Sequence, residues 1–228
     1  GPHGYKPYTT TAIFGKREGD CKDKAILINT MLREIGVEAY PVLINGEMGR
    51  SEEDLELAMV GHFNHSISYV PDVDGTGRDL FLDGTATYHS ALLPPAMDRG
   101  AKVVIVKPEG AEVKTVPLGD AADNGLDQDW TFELNADGSA TAKGELTFRG
   151  DGAVQIRQGL SVPGQRPIIL QSFLSRVFGK VELKDNDFDD LKDLSTTKTA
   201  FRVSFEIASF ATKEGESFSL PTSFLDGF

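Results

Sequence analysis

Gly19-Asp20-Cys21-Lys22-Asp23-Lys24-Ala25 places the only cysteine of the chain where a loop turns into an amphipathic helix, and the rest of the sequence reads as support for that thiol. Ala25, Ile28, Leu32 and Ile35 recur at helical spacing, Leu27 and Met31 widen the apolar stripe, and Lys24, Asn29, Arg33 and Glu34 fall toward the opposite side. Asp20 suits the N-cap, Asp23 the capping-box acid, and Gly36 the residue just past the C-terminus. Cys21 therefore lies in the first turn, facing unpaired backbone N–H groups and the positive end of the helix dipole, which favour thiolate over thiol. Lys22 and Lys24 push the same way, and Asp20 and Asp23 oppose them. A lone cysteine also reads as a small buried hydrophobe, so position alone leaves both readings open.

The chain has 228 residues, enough for one large domain or two small ones with a core that needs neither disulfide nor metal. A single cysteine permits no internal disulfide. The net charge of -12, without a clustered Lys/Arg face, opposes binding to nucleic acid or to an anionic membrane. No apolar run approaches the roughly 20 residues of a membrane span. No secretory signal precedes Gly1, and Gly1-Pro2 reads as a cleavage scar on a piece of a longer protein.

Residues 1–18 read as an approach loop, with Gly4, Pro7, a Thr9-Thr10-Thr11 run, and Tyr5 and Tyr8 expected to be partly buried. After the helix, Val37 to Ile44 is a strand candidate and Asn45-Gly46 a turn. Residues 51–59 (SEEDLELAM) fit a short helix or an acidic surface loop. The second informative stretch is Phe63 to Val70 (FNHSISYV), followed by a loop rich in Asp, Gly and Pro and then Leu80 to Thr85 (LFLDGT). Alternation puts His65, Ile67 and Tyr69 on one side of a strand. A hairpin with its apex at Asp74-Gly75 sets His65 opposite Asp83, and a one-residue slip would separate them.

Metal signatures are weak. His62 and His65 form an H-x-x-H pair without a third ligand at suitable spacing, so neither a metal nor any other cofactor is expected. The loop from Asp72 to Asp79 lacks the spacing and terminal Glu of an EF-hand, and Asp185, Asp187, Asp189 and Asp190 fit a solvated acidic turn. From 107 to 127 the pattern loosens into Pro, Gly, Ala and Asp, which suggests a linker between a first domain at 1–106 and a second at 128–228. In the second, Trp130, Phe132 and Leu134 alternate, Asn135 to Gly138 supplies a turn, and Leu146 and Phe148 alternate again, giving a long β-hairpin. Pro167 to Phe178 reads as one helix ended by Gly179, and Phe201, Val203, Phe205 and Ile207 as another strand. This half holds no cysteine or histidine and reads as a β-rich packing or recognition module.

GDCKDKAILINTMLREIGVEAYPVLI, FNHSISYV and FLDGTA, in that order, resemble the transglutaminase-like superfamily, and most of all bacterial, mostly secreted proteins with a transglutaminase core between β-sandwich domains. The resemblance implies an α+β fold, a papain-like core followed by a sandwich-like domain containing a helix. It implies Cys21 as nucleophile, His65 as base and Asp83 as orienting acid, and a periplasmic or extracellular location. The partners it implies are a protein or peptide substrate and other domains of a parent chain. The chemistry expected is cysteine-dependent acyl transfer on amide bonds, as peptidase or amidase hydrolysis or as transglutamination, with hydrolysis favoured. The alternative is a non-catalytic binding or assembly module that retains the fold.

Overall fold

The computed structural model describes residues 4–50, 55 and 59–220, and the chain divides into two compact units, Gly1–Asp120 and Ala121–Phe228. Among the described residues the architecture is mixed α+β, with four α-helices and three antiparallel sheets. No helix among them is long and apolar enough to cross a membrane.

The first unit opens with α1 (Thr10–Lys16), a short helix where the sequence reads as a loop. Thr9 caps it by accepting from the Ala12 N–H, and only Ile13 is buried, so no apolar period announces it. Tyr5 is 83% exposed rather than partly buried. Next comes α2 (Cys21–Glu34), whose capping box forms as the sequence implies: Asp20 accepts from the Asp23 N–H, and Asp23 accepts from the Asp20 N–H. Asp23 is itself buried and also accepts from the Tyr8 N–H at 2.9 Å, which ties the approach segment to the helix start.

A five-stranded sheet follows, built from β1 (Tyr40–Ile44), β2 (His65–Val70), β3 (Leu80–Leu82), β4 (Lys102–Lys107) and β5 (Gly110–Thr115) in the order β3-β2-β1-β4-β5. Its core gathers Val42, Ile44, Ile67, Tyr69, Phe81, Val103 and Ile105. The helix is fastened to β2 by the buried Ser68 hydroxyl, which donates to the Ala25 carbonyl at 3.1 Å. Residues 51–54 and 56–58 of the SEEDLELAM stretch lie outside the described residues. Within 107–127, read from sequence as a linker, β5 completes the sheet and the first strand of the second unit begins at Gly125. Residues of β5 are exposed or half-buried, and such a polar edge strand carries no hydrophobic period.

The β2–β3 register corrects the sequence expectation. Ser68 pairs with Leu82, Tyr69 with Phe81 and Val70 with Leu80, two residues away from the pairing that would set His65 against Asp83. The loop between the strands closes between Val73 N and Arg78 O at 2.9 Å, with Gly75 and Gly77 at positive φ, so its apex falls later than Asp74-Gly75. Side chains alternate with period two, so a shift of two preserves which face each residue occupies. Asp83 therefore meets His65 on the diagonal instead of directly across.

The second unit holds a four-stranded antiparallel sheet of β6 (Gly125–Leu134), β7 (Ala140–Arg149), β8 (Val181–Phe188) and β9 (Lys198–Ile207), ordered β6-β7-β9-β8. Two helices lie between β7 and β8, α3 (Asp151–Gly159) and α4 (Arg166–Phe178), and a small hairpin of β10 (Thr212–Glu214) and β11 (Ser217–Ser219) follows. Leu146, Phe201, Val203, Phe205 and Ile207 from the sheet pack with Leu170, Leu174 and Phe178 of α4. Trp130 lies across Gly144, where an added Cβ would come within 2.2 Å of the indole ring. Asp187 and Asp189, read as part of an acidic turn, lie within β8 and just past its end and face Arg202, each at 3.4 Å. Arg157, 1% exposed, donates to the carbonyls of Asp193, Thr196 and Lys198, and so holds the loop before β9.

Candidate active site

Cys21 occupies the first helical position of α2 and is partly exposed. The first intrahelical bond runs from Lys24 N to Asp20 O, so the N–H of Cys21 precedes the ladder and is one of the orphan donors of a helix start. Lys22 pairs with Asp20. Burial works against the Asp20 carboxylate, but Lys22 and the Asp23 N–H outweigh it and hold its pKa below the usual value.

His65 opens β2, where Ile44 of β1 pairs with it. Its Nε2 lies 3.1 Å from Oδ2 of Asp83, with side-chain exposures of 12% and 2%. The other oxygen of Asp83 accepts from both the N–H and the hydroxyl of Thr85, each at 2.7 Å, so the carboxylate is held in a turn with one oxygen left for the imidazole. Gly84 lets this turn approach α2, since a Cβ there would stand 2.9 Å from Ile28 Cδ1 and from Lys24 Cβ.

The imidazole is electrostatically unusual. Burial alone would lower its pKa, but the hydrogen bond and charge of Asp83, a side-chain hydrogen-bonding interaction with Cys21 and the charge of Asp98 together raise it to about 9. Asp83 is shifted the other way, its carboxyl kept below the usual range against burial by His65 and Thr85. Asp83 engages Nε2, so Nδ1 is the ring nitrogen outside that contact. The structure thus brings His65 and Asp83 into direct contact, with Cys21 near enough to help hold the imidazole charged.

Asp98 is the fourth member, and the sequence reading missed it. It is 0% exposed, and neither carboxylate oxygen has a hydrogen-bond partner. Burial and the Asp83 charge push its pKa up to about 6. Arg50 clamps the backbone on both sides of it, donating to Met97 O at 2.7 Å and to Arg99 O at 2.5 Å. In sequence Asp98 stands in Met97-Asp98-Arg99-Gly100, which resembles any polar turn, so no local pattern announces a buried carboxylate. His62 does not join this cluster, and the Asp72–Asp79 loop has other uses for its carboxylates: Asp72 accepts from Gly77 N at 2.5 Å, Asp74 from the Thr76 hydroxyl at 2.6 Å, and Asp79 from Lys114 of β5 at 2.6 Å.

No family model, no curated protein and no solved structure matches the chain.

Proposed function

We propose that the chain is a transglutaminase-like cysteine acyltransferase acting on amide bonds of a protein or peptide, with Cys21 as nucleophile, His65 as general base and acid, and Asp83 as the group that orients and charges the imidazole. In this reading the first unit is a papain-like core, and the second stands where a sandwich-like domain follows such a core. A bacterial, periplasmic or extracellular setting belongs to the same proposal.

The observation that carries it is the Nε2 to Oδ2 contact of 3.1 Å, made by a ring whose charged form is also favoured by Cys21 on the first turn of α2. A thiolate attacks the amide carbon, and the imidazolium passes a proton to the leaving amine. The N–H of Cys21 is positioned as one donor to the oxyanion. The thioester is then resolved by water or by an amine. Partial exposure of Cys21 leaves the thioester open to water, which supports hydrolysis over crosslinking.

The test is to trap the thioester. Incubation with a peptide mixture, acid quench and mass spectrometry should show an acyl adduct on Cys21 that is absent in Cys21→Ala, with hydrolysed peptide accumulating and added primary amine diverting only part of it. Full conversion to amine adducts would make the protein a crosslinker. Absence of both adduct and product across a broad peptide set would leave a binding or assembly module.

A further inference from the structure

We infer that His65, Asp83 and Asp98 form a binding site for a divalent transition-metal ion of the zinc class. One ring nitrogen and one oxygen from each carboxylate lie within 4.8 Å of one another. A carboxylate taken out of water without a partner is costly, and buried charges in proteins are paired or coordinate metals. Asp98 is such a group: fully buried, with both oxygens unpartnered and one of them in this cluster.

The dimensions and donor types select the ion. Tetrahedral bonds of roughly 2 Å place ligand atoms roughly 3.3 Å apart. His65 and Asp83 already stand at 3.1 Å, and Asp98 has to close from no more than 4.8 Å. One imidazole and two carboxylates suit zinc and its neighbours, whereas calcium takes six to eight oxygens and magnesium an octahedron of oxygens. Arg50 fixes the turn that carries Asp98. Three protein ligands leave a fourth position for water. Cys21 is not part of the ligand cluster.

The regulatory consequence rests on the acyl-transfer reading, although binding itself does not. An imidazole bonded to metal through Nε2 carries its remaining proton on Nδ1 and cannot accept one from the thiol. The ion would therefore hold the enzyme off, and its removal would free the base.

The test is calorimetric titration of the metal-free chain with Zn2+, with Mg2+ and Ca2+ as competitors and His62→Ala/His89→Ala as a control for adventitious histidine binding. One Zn2+ per chain is expected, not displaced by excess Mg2+ or Ca2+ and kept in the control. Asp98→Asn should weaken binding by more than the roughly 10–100-fold that loss of a mere outer-shell partner costs. Asp83→Asn serves as a second ligand variant should Asp98→Asn fail a circular-dichroism check of folding. Cys21→Ser should bind as the wild type does. Zn2+ affinity unchanged in the folded ligand variants, lost in Cys21→Ser, or absent from the wild type would overturn the site. Titration reads no turnover, so its failure is separable from failure of Cys21 reactivity measured in chelator.

Discussion

Replacing Asp83 with Asn tests the electrostatics of the site while keeping its shape. The amide oxygen can still accept from Thr85, but the negative charge beside His65 is gone. The rise of the imidazole pKa from 6.5 to about 9 corresponds to about 3 kcal/mol in favour of the charged ring. Two unit charges roughly 4 Å apart at an effective dielectric constant of 20 attract by about 4 kcal/mol, so the Asp83 charge is large enough to supply most of that difference. Burial opposes the charged ring and remains in the variant, while Asp98 supplies part of the missing charge. The His65 pKa in Asp83→Asn should therefore fall by about two units, close to its ordinary value. The assay is titration of the imidazole resonances by NMR, assigned with His65→Gln. A wild-type ring that titrates near 6.5, or a variant ring still charged above pH 8, would show that Asp83 does not hold the imidazole charged.

Other outcomes follow from the same contacts. Because the folded His65 pKa is raised, its contribution to stability is complete below about pH 6.5 and is lost as pH climbs through about 9, so denaturant midpoints should decline across that interval and do so less in His65→Gln. Gly84→Ala should cost about 1–3 kcal/mol in thermal or chemical unfolding and slow any Cys21 chemistry, because the new Cβ meets Ile28 and Lys24 at 2.9 Å and lifts Asp83 from α2; an unchanged melting temperature would contradict that packing. Arg157→Ala leaves the carbonyls of Asp193, Thr196 and Lys198 without their buried donor, and should destabilise the second unit by about 3 kcal/mol, read as an earlier transition in proteolysis of Ala121–Phe228.

The start of the helix that presents Cys21 was readable because its signal is local, a capping pair three residues apart, whereas its face was read only in part: Asn29, assigned to the outer side, is buried, and Met31 and Ile35, assigned to the apolar stripe, are exposed. The hairpin of β6 and β7 was readable for the same reason, since the 135–138 turn sits between two alternating runs. The pairing of His65 with Asp83 was legible as a neighbourhood but not as a register. Which loop residue forms the apex depends on Gly75 and Gly77 together, and only parity survives the shift. Thr10 to Lys16 and the polar edge strand β5 lack a hydrophobic period of their own and take their structure from neighbours. Asp98 was illegible because its burial is produced by tertiary approach, with Arg50, distant in sequence, holding its turn.

Whether Cys21 and His65 act as one unit is measured most directly by the rate of Cys21 alkylation by iodoacetamide as a function of pH, in chelator. A Cys21–His65 unit gives a wild-type rate at neutral pH that falls, and a pH profile that moves, when the imidazole is removed in His65→Ala. Wild type and His65→Ala curves that coincide, or a native thiol that labels only after unfolding, would contradict it.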